Sequence, residues 1–110
     1  MKANDKRLYE LKSEVLCGIA QPIRLMIVDT LAAGELCVCD IVSRVDAERS
    51  NVSRHLRVML RAGILEVRRE GLKMIYRLAT PCTVDFLGCI ERMVCERIKN
   101  DAVILKGLKK

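Results

Sequence analysis

The chain has 110 residues, of which 51% are hydrophobic and only 3% aromatic, a composition that fits one domain over residues 1–110 with an aliphatic core. It has no run of about 18 apolar residues, which argues against a membrane-spanning helix. Its charged N-terminus lacks the apolar block of a secretory signal. Both observations favour a cytoplasmic protein, whose six cysteines are then expected to be free thiols. The formal net charge is +6, and residues 44–77 alone carry +5, because they contain nine Arg and Lys and four Asp and Glu. Such a concentration of positive charge is typical of a nucleic-acid-binding protein or of a solvated basic surface.

The first half of the sequence predicts three helices, with a short bridge between the second and the third. Residues 7–18 carry apolar side chains at helical spacing and predict a first helix that ends near Gly18. Pro22 suits the first turn of a second, almost wholly apolar helix, which Gly34 is expected to terminate. The following segment, ELCV, is long enough only for a bridge or a small strand, and a short third helix should cover about 39–45.

The second half of the sequence predicts a helix, a hairpin and a last helix. After a tight turn at 46–47, the segment ERSNVSRHLRVMLRAG has one apolar stripe, formed by Val52, Leu56, Met59 and Leu60. Two short strands, ILEVRR and KMIYRL, follow with a turn at 70–71, and Thr80 and Pro81 should begin a helix over about 81–99. The resulting order, α-α-(β)-α-α-β-β-α, is that of a mainly α winged helix-turn-helix with a small β-hairpin as the wing.

The fourth helix would be the recognition helix, whose exposed face meets base edges in the major groove of double-stranded DNA. Arg54 can make two hydrogen bonds to a guanine edge, and Asn51 can pair with adenine. The four arginines of this helix have no acid among them, and they would repel one another without a polyanion partner. The side chains expected to contact bases or phosphates are Arg49, Ser50, Asn51, Ser53, Arg54, His55, Arg57 and Arg61 in this helix and Arg68, Arg69 and Lys73 in the hairpin.

Four segments of the chain resemble, in the same order, motifs of the ArsR/SmtB family of metal-responsive repressors. AQPIRLMIVDTL is similar to the helix-opening pattern A-D-P-x-R-L of that family, and ELCVCDIV is similar to its thiol box. SNVSRHLRVMLRAGIL resembles its recognition helix, and REGLKMIYRL resembles its wing. The match covers about residues 16–77 and departs from the family pattern at Gln21 and Glu48, neither of which is a DNA-contacting or thiol residue. The resemblance implies a repressor that releases DNA when it binds a metal ion.

Cys37 and Cys39 are soft ligands without a histidine or a carboxylate cluster beside them, which favours soft ions. Arsenite or antimonite is the first expectation, and cadmium or lead is the second. Residues two apart in a regular helix point about 200° apart, so the two sulfurs can bind one ion only if Cys37 precedes the third helix and Cys39 lies in its first turn. An ion held there would reshape the start of the third helix, strain the recognition helix that it supports and release DNA.

Pyramidal arsenic needs a third thiol, and the position that the resemblance implies for it, three residues after Cys39, is Val42 in this chain. The sequence leaves the choice open among Cys17, Cys82, Cys89 and Cys95. The last helix cannot form a site alone, because Cys82 and Cys89 share a face but lie about 10 Å apart along its axis. Another segment or a second subunit would have to contribute. Each of the four could instead fill a core, since Cys packs as a small hydrophobe.

The last helix carries two apolar stripes, one through Phe86 and Met93 and the other through Ile90 and Val94. A helix that is apolar on two sides needs its own core and a second subunit. A homodimer through the first and last helices is therefore expected, and such a dimer suits a palindromic operator.

The sequence allows two alternatives to ion-induced release. A repressor of the same fold could sense oxidants or reactive sulfur through a disulfide between distant cysteines, since a disulfide within CxC would close a strained ring. A thiol enzyme is disfavoured, because the chain has no CxxC motif and no base paired with a nucleophile. DNA binding is not expected to require a cofactor, so that the ion acts only as an inducer.

Overall fold

The computed structural model describes residues 2–108 as five helices and a three-stranded antiparallel sheet. In chain order the elements are α1 (Ala3–Ile19), α2 (Pro22–Leu31), β1 (Leu36–Cys37), α3 (Val38–Val45), α4 (Arg49–Arg61), β2 (Leu65–Glu70), β3 (Lys73–Leu78) and α5 (Cys82–Leu108). This order confirms the predicted winged helix-turn-helix, in which α3 and α4 form the helix-turn-helix and the hairpin of β2 and β3 forms the wing. None of the helices in the described part of the chain has the length and apolar character needed to cross a bilayer.

The core lies between α2, α3 and α4 and is aliphatic, as the composition predicts. Its fully buried side chains are Ile27 and Val28 of α2, Ile41 of α3, and Val52, Leu56 and Met59 of α4. The predicted apolar stripe of the fourth helix is therefore the surface that α4 packs against the core. Burial of one such side chain contributes roughly 1.5–3 kcal/mol, so this packing fixes which face of α4 points outward.

Gly18 has a different role from the predicted one. The helix α1 begins at Ala3, earlier than predicted, and it continues past Gly18 to Ile19. A Cβ at Gly18 would lie 2.5 Å from Cβ of Ala62 and 2.8 Å from Cδ1 of Ile64, distances that real side chains do not reach. The glycine therefore lets α1 approach the end of α4 and the start of the wing, and it does not terminate the helix.

Two residues with positive φ shape the helix-turn-helix. Asp46 follows α3 with a φ of 51°, a conformation that Asp adopts more readily than most residues, and it lies in the predicted turn. Gly63 follows α4 with a φ of 78°, and its N–H donates to the carbonyl of Leu60 at 3.1 Å. The third helix begins at Val38, one residue earlier than predicted, so Cys37 is its N-cap residue and has an extended backbone.

The wing is joined to the segment that precedes α3. The strand β3 is central in the order β1-β3-β2, and it pairs with β2 along the whole length of both strands. The two residues of the hairpin turn are 71–72 rather than the predicted 70–71, and Gly71 has the positive φ, 63°, that such a turn requires. On its other side β3 pairs with β1, where Cys37 lies opposite Ile75. A displacement of Cys37 would therefore act on the wing.

The helix α5 continues beyond its predicted end at residue 99. It has 27 residues, equivalent to a length of about 40 Å; residues 109 and 110 of the predicted tail lie outside the described part. At its start the carbonyl of Thr80 accepts the N–H of Thr83 at 3.1 Å. Every described side chain from 89 to 107 is exposed, so only the first turns of α5 pack on the rest of the chain.

Candidate DNA interface and thiol site

The outer face of α4 presents the basic side chains on which the DNA-binding prediction depends. The helix has no acidic residue between its first and last positions, so its guanidinium groups form an uninterrupted positive surface. The exposed residues of this face are Arg49, Ser50, Arg54, Arg57 and Arg61, and the half-buried ones are Asn51 and Ser53. These seven side chains lie where a recognition helix meets the major groove.

Asn51 and Arg54, the residues predicted to contact base edges, contact each other across one turn of α4. Nη2 of Arg54 donates to Oδ1 of Asn51 at 2.6 Å. The contact orients the guanidinium along the helix surface and leaves its remaining N–H groups available, since a guanidinium has five. An arginine that is already oriented loses less conformational freedom when it forms a bidentate contact with guanine.

The wing residues predicted to contact DNA are all exposed, and two of them are held by neighbouring groups. Arg68 forms ion pairs with Glu35 and Glu70, and Nε of Arg69 donates to a backbone carbonyl of the hairpin turn at 3.1 Å. Lys73 lies beside the turn. Exposed ion pairs contribute only about 0–1 kcal/mol, so DNA phosphates can replace the carboxylates of these pairs at little cost.

The structure corrects the predicted position of His55. Only 7% of its surface is exposed, and its Nδ1 accepts a hydrogen bond from Nε of Arg24 at 3.0 Å. Residue 55 is three positions after Val52 and four before Met59, so it lies on the buried face of α4 and not on the basic face. That spacing is the sequence signal that identifies a core histidine here. His55 therefore does not belong with the base-contacting residues.

Arg24, the arginine of the helix-opening segment AQPIRL, connects three helices. Only 9% of its surface is exposed; Nε donates to His55 in α4, and Nη1 donates to the carbonyl of Cys17 in α1 at 3.0 Å. A buried guanidinium requires hydrogen-bond partners, and here it has one on each neighbouring helix. An arginine inside an otherwise apolar helix is the signal for such a residue. The orientation of the recognition helix is thereby linked to α1.

We expect the free energy of unfolding to fall as the pH is lowered below 6.5, because His55 titrates differently in the two states. Burial lowers the pKa of His55 from 6.5, and the nearby Arg24 and Arg54 lower it further. The unfolded chain therefore binds a proton near pH 6.5, whereas the folded chain binds it only at lower pH. Between these two pH values acid favours unfolding, and above pH 6.5 the contribution of His55 is constant.

Denaturant unfolding between about pH 7.5 and pH 5 measures this dependence. His55→Asn is the matched control, because its Oδ1 can accept the hydrogen bond from Arg24 but does not titrate. The loss of stability in acid should be smaller in the variant than in the original chain. An equal loss in both proteins would show that other groups cause it.

Cys37 and Cys39 have the arrangement around the start of α3 that the site prediction requires. Cys37 is half-buried at the N-cap position, and Cys39 is exposed in the first turn. Sγ of Cys37 donates to Oδ2 of Asp40 at 3.3 Å, and Sγ of Cys39 accepts from Nη1 of Arg49 at 3.3 Å. Since Arg49 is the first residue of α4, the thiol pair is in direct contact with the recognition helix.

The other four cysteines lie away from this pair. Cys17, Cys82, Cys89 and Cys95 are exposed in α1 and α5, so none of them fills the core of a single chain. Cys82 lines a mainly apolar groove between α1 and α5, and Sγ of Cys89 accepts from Arg92 at 3.1 Å. Within residues 2–108 of one chain, no three His, Cys, Asp or Glu side chains are grouped closely enough to hold a metal ion. One chain alone therefore does not bring a third thiol to Cys37 and Cys39.

A basic second helix of a helix-turn-helix followed by a basic hairpin defines a winged helix-turn-helix DNA-binding protein. Residues 21–67 match the model of the bacterial regulatory proteins of the arsR family. The chain is also 36% identical over 104 residues to an uncharacterized HTH-type transcriptional regulator of Mycobacterium tuberculosis, with 93% of this chain and 90% of that protein covered. The chain belongs to the arsR (ArsR/SmtB) family and is a transcriptional regulator that binds DNA rather than an enzyme.

Two further similarities concern an arsenical repressor and a homodimeric structure. The arsenical resistance operon repressor of Staphylococcus xylosus is 31% identical over 70 residues, which cover 64% of this chain and 67% of that protein. The solution structure of a homodimeric winged helix-turn-helix domain from Mycobacterium bovis, a possible ArsR-family regulator, matches with a TM-score of 0.80. That structure is 25% identical in sequence, and the match covers 91% of this chain and 93% of that one. It has the same fold as this chain and is homodimeric.

Proposed function

We propose that this chain is a homodimeric repressor that binds a palindromic operator when free and dissociates when a thiophilic ion binds Cys37, Cys39 and a third thiol. One observation carries the proposal: the two thiols lie at the start of α3, and Cys39 contacts Arg49, the first residue of the recognition helix, at 3.3 Å. Binding of one ion by both sulfurs and a third thiol would move Cys37, the N-cap residue, relative to the first turn of α3. Because Ile41 of α3 is buried in the same core as α4, that movement acts on the recognition helix.

Arsenite or antimonite is the inducer that the ligands favour, followed by cadmium or lead. Thiolate sulfur is a soft ligand, and the only histidine of the chain is buried against Arg24, away from solvent. The similarity to an arsenical resistance operon repressor supports the first choice. Catalytic zinc is disfavoured, because its usual histidine ligands are missing from the thiol site.

A second copy of the chain would supply what one chain lacks. The helices α1 and α5 expose large apolar side chains, namely Leu8, Tyr9, Leu11, Val15, Leu16, Phe86, Ile90, Met93, Val94 and Ile98. Apolar surface of this extent marks an interaction site, and symmetric pairing of α1 and α5 from two copies would cover it. The pairing also brings a second set of Cys17, Cys82, Cys89 and Cys95, so that the third ligand can come from either subunit.

We infer that the DNA contacts divide between base reading and phosphate binding. Asn51 and Arg54 would read base edges, with Ser50 and Ser53 as further donors. The phosphate-binding residues would be Arg49, Arg57 and Arg61 of α4 and Arg68, Arg69 and Lys73 of the wing. Phosphate contacts set the affinity and its dependence on salt, whereas base contacts set the preference for one sequence.

Serine at Cys37 or at Cys39 should abolish ion-induced release and leave operator binding by the free protein close to that of the original chain. Serine has a similar shape, and at position 39 its hydroxyl can accept the hydrogen bond from Arg49, but it lacks the soft sulfur that binds the ion. Operator binding is measured by fluorescence anisotropy under strict reduction, with arsenite, antimonite, cadmium or lead titrated separately. The original chain should lose about 5- to 150-fold in affinity, the usual range of allosteric coupling.

Single Cys→Ser variants at 17, 82, 89 and 95 identify the third ligand, because only the variant that lacks it should also lose release. Sedimentation of the protein–operator complex gives the number of chains bound. Unchanged release in both Cys37→Ser and Cys39→Ser would mean that the ion binds elsewhere. Tight operator binding by the ion-loaded original chain would refute the proposed function.

A thiol-redox repressor is the second candidate, because all six cysteines are free and five of them are exposed. Peroxide or persulfide should then release the operator from metal-free protein, and a dithiol reductant should restore binding. The titration under strict reduction separates the two candidates. Release by an ion in reducing buffer supports the metal sensor, whereas release by oxidant alone supports the redox sensor.

A further inference from the structure

Arg49 connects the thiol pair to the surface that faces DNA. It is the first residue of α4, its side chain is exposed, and its Nη1 lies 3.3 Å from Sγ of Cys39. The contact therefore spans the turn between the two helices of the helix-turn-helix. Among the hydrogen bonds of residues 2–108, it is the only one that joins a thiol to α4.

The contact depends on the ability of the Cys39 sulfur to accept a hydrogen bond. A guanidinium has only donors and keeps its positive charge at all relevant pH values. Arsenite or cadmium bound to Cys39 would engage a lone pair of the sulfur, and the thiol proton would leave as water with an arsenite hydroxyl or pass to solvent in the case of cadmium. The sulfur would also have to turn toward the bound ion, away from the direction in which it accepts from Arg49. Both effects oppose the N–H to sulfur contact, so Arg49 would leave it.

We infer that Arg49 is the positioning residue through which ion binding at the thiol pair weakens DNA binding; this inference rests on the proposed function. In the free protein, Cys39 holds the guanidinium at the N-terminal end of the recognition helix. The backbone N–H groups at that end also attract phosphate, so an ordered arginine there adds to an existing anion site. Loss of the contact with Cys39 removes this ordered cation from the DNA-facing surface.

The wing offers a second route from the thiols to DNA, and the test must separate the two. Cys37 lies in β1 opposite Ile75 of β3, and Glu35, two residues before Cys37, forms an ion pair with Arg68 of the wing. This route passes through the backbone pairing of β1 with β3 and through an exposed ion pair, and it ends on the wing. The route through Cys39 and Arg49 is a single contact that reaches the recognition helix itself, which is why we favour it.

The test compares, for each variant, the ratio of operator dissociation constants with and without arsenite. Arg49→Gln is compared with Arg57→Gln on the same helix and with Arg68→Gln on the wing. Each variant removes one positive charge from a DNA-facing element, so each should weaken binding by the free protein. Only Arg49→Gln should also reduce the ratio, from about 5- to 150-fold to within about threefold of unity. Cadmium affinity, followed by thiolate absorbance without DNA, should be the same in all three variants.

The outcomes separate this inference from the proposed function. An original chain that releases DNA with arsenite, together with an unchanged ratio in Arg49→Gln, would overturn the role of Arg49 alone. A ratio reduced only in Arg68→Gln would assign the coupling to the wing. Weaker cadmium binding in Arg49→Gln would show that Arg49 stabilises the ion site itself. Either result overturns the inference. If arsenite and cadmium both leave operator affinity of the original chain unchanged, both proposals are wrong.

Discussion

Replacement of Arg54 by Ala should weaken operator binding by about 1–3 kcal/mol, roughly 5- to 150-fold. Arg54 is exposed on α4, and its contact with Asn51 at 2.6 Å holds the guanidinium on the DNA-facing surface. A bidentate contact with guanine contributes this much binding free energy because its loss leaves two acceptors of the base without a hydrogen-bond donor. The variant should also lose discrimination at one base pair of each half-site. Fluorescence anisotropy at one fixed salt concentration measures both effects.

A second DNA of random sequence separates a base contact from a phosphate contact. A phosphate-binding arginine contributes about equally to all sequences, whereas a base-reading arginine contributes mainly to the operator. Arg97→Ala, which removes the same charge from an exposed site on α5, should leave operator affinity nearly unchanged. Equal losses on both DNAs would assign Arg54 to a phosphate. An equal loss in Arg97→Ala would show that net charge, and not the position of Arg54, determines the affinity.

The helix-turn-helix could be predicted from the sequence because its determinants are local. Pro22 and Gly63 bound the second and fourth helices where the pattern places them, and the apolar stripe of α4 is the buried one. Cys37 lies before α3, the position that the sequence requires if one ion is to bind both thiols of the CxC pair. These features need no knowledge of distant contacts.

The features that the sequence did not reveal depend on contacts between elements. Gly18 marks a close approach to the end of α4, a contact that the pattern of a single helix cannot show. The partner of His55, Arg24, is 31 residues away, so the buried pair becomes visible only when α2 and α4 pack together. The helix α5 continues to Leu108, beyond the predicted end near 99, and no proline interrupts it after Pro81.

The sequence identifies two candidate ligands of the thiol site but not the third. Cys37 and Cys39 are placed by the start of α3, an element within the chain. In the proposed function the third ligand depends on how two chains pair, and that pairing would position the exposed cysteines of α1 and α5. The variants that test Cys17, Cys82, Cys89 and Cys95 therefore test the dimer as well as the ion site.

Leu56→Ala should lower the free energy of unfolding by about 2–5 kcal/mol, whereas Leu72→Ala should change it by less than about 0.5 kcal/mol. Leu56 is fully buried between α2, α3 and α4, and Leu72 is 96% exposed in the hairpin turn. The two substitutions remove the same atoms, but only the first leaves a cavity in a packed core. Denaturant unfolding at one protein concentration makes the comparison, since the stability of a dimer depends on concentration.

The result for Leu56 also tests the face of α4 that is assigned to DNA. Leu56 and Arg54 lie on opposite faces of that helix, one buried and the other exposed. Arg54→Ala should therefore lose operator affinity with little change in the free energy of unfolding. Leu56→Ala should lose operator affinity only under conditions in which a fraction of the protein is unfolded. If Leu56→Ala unfolds like the original chain, this side of α4 does not pack in the core. The basic side chains would then not form its outer face, and the DNA contacts inferred from that face would fail together.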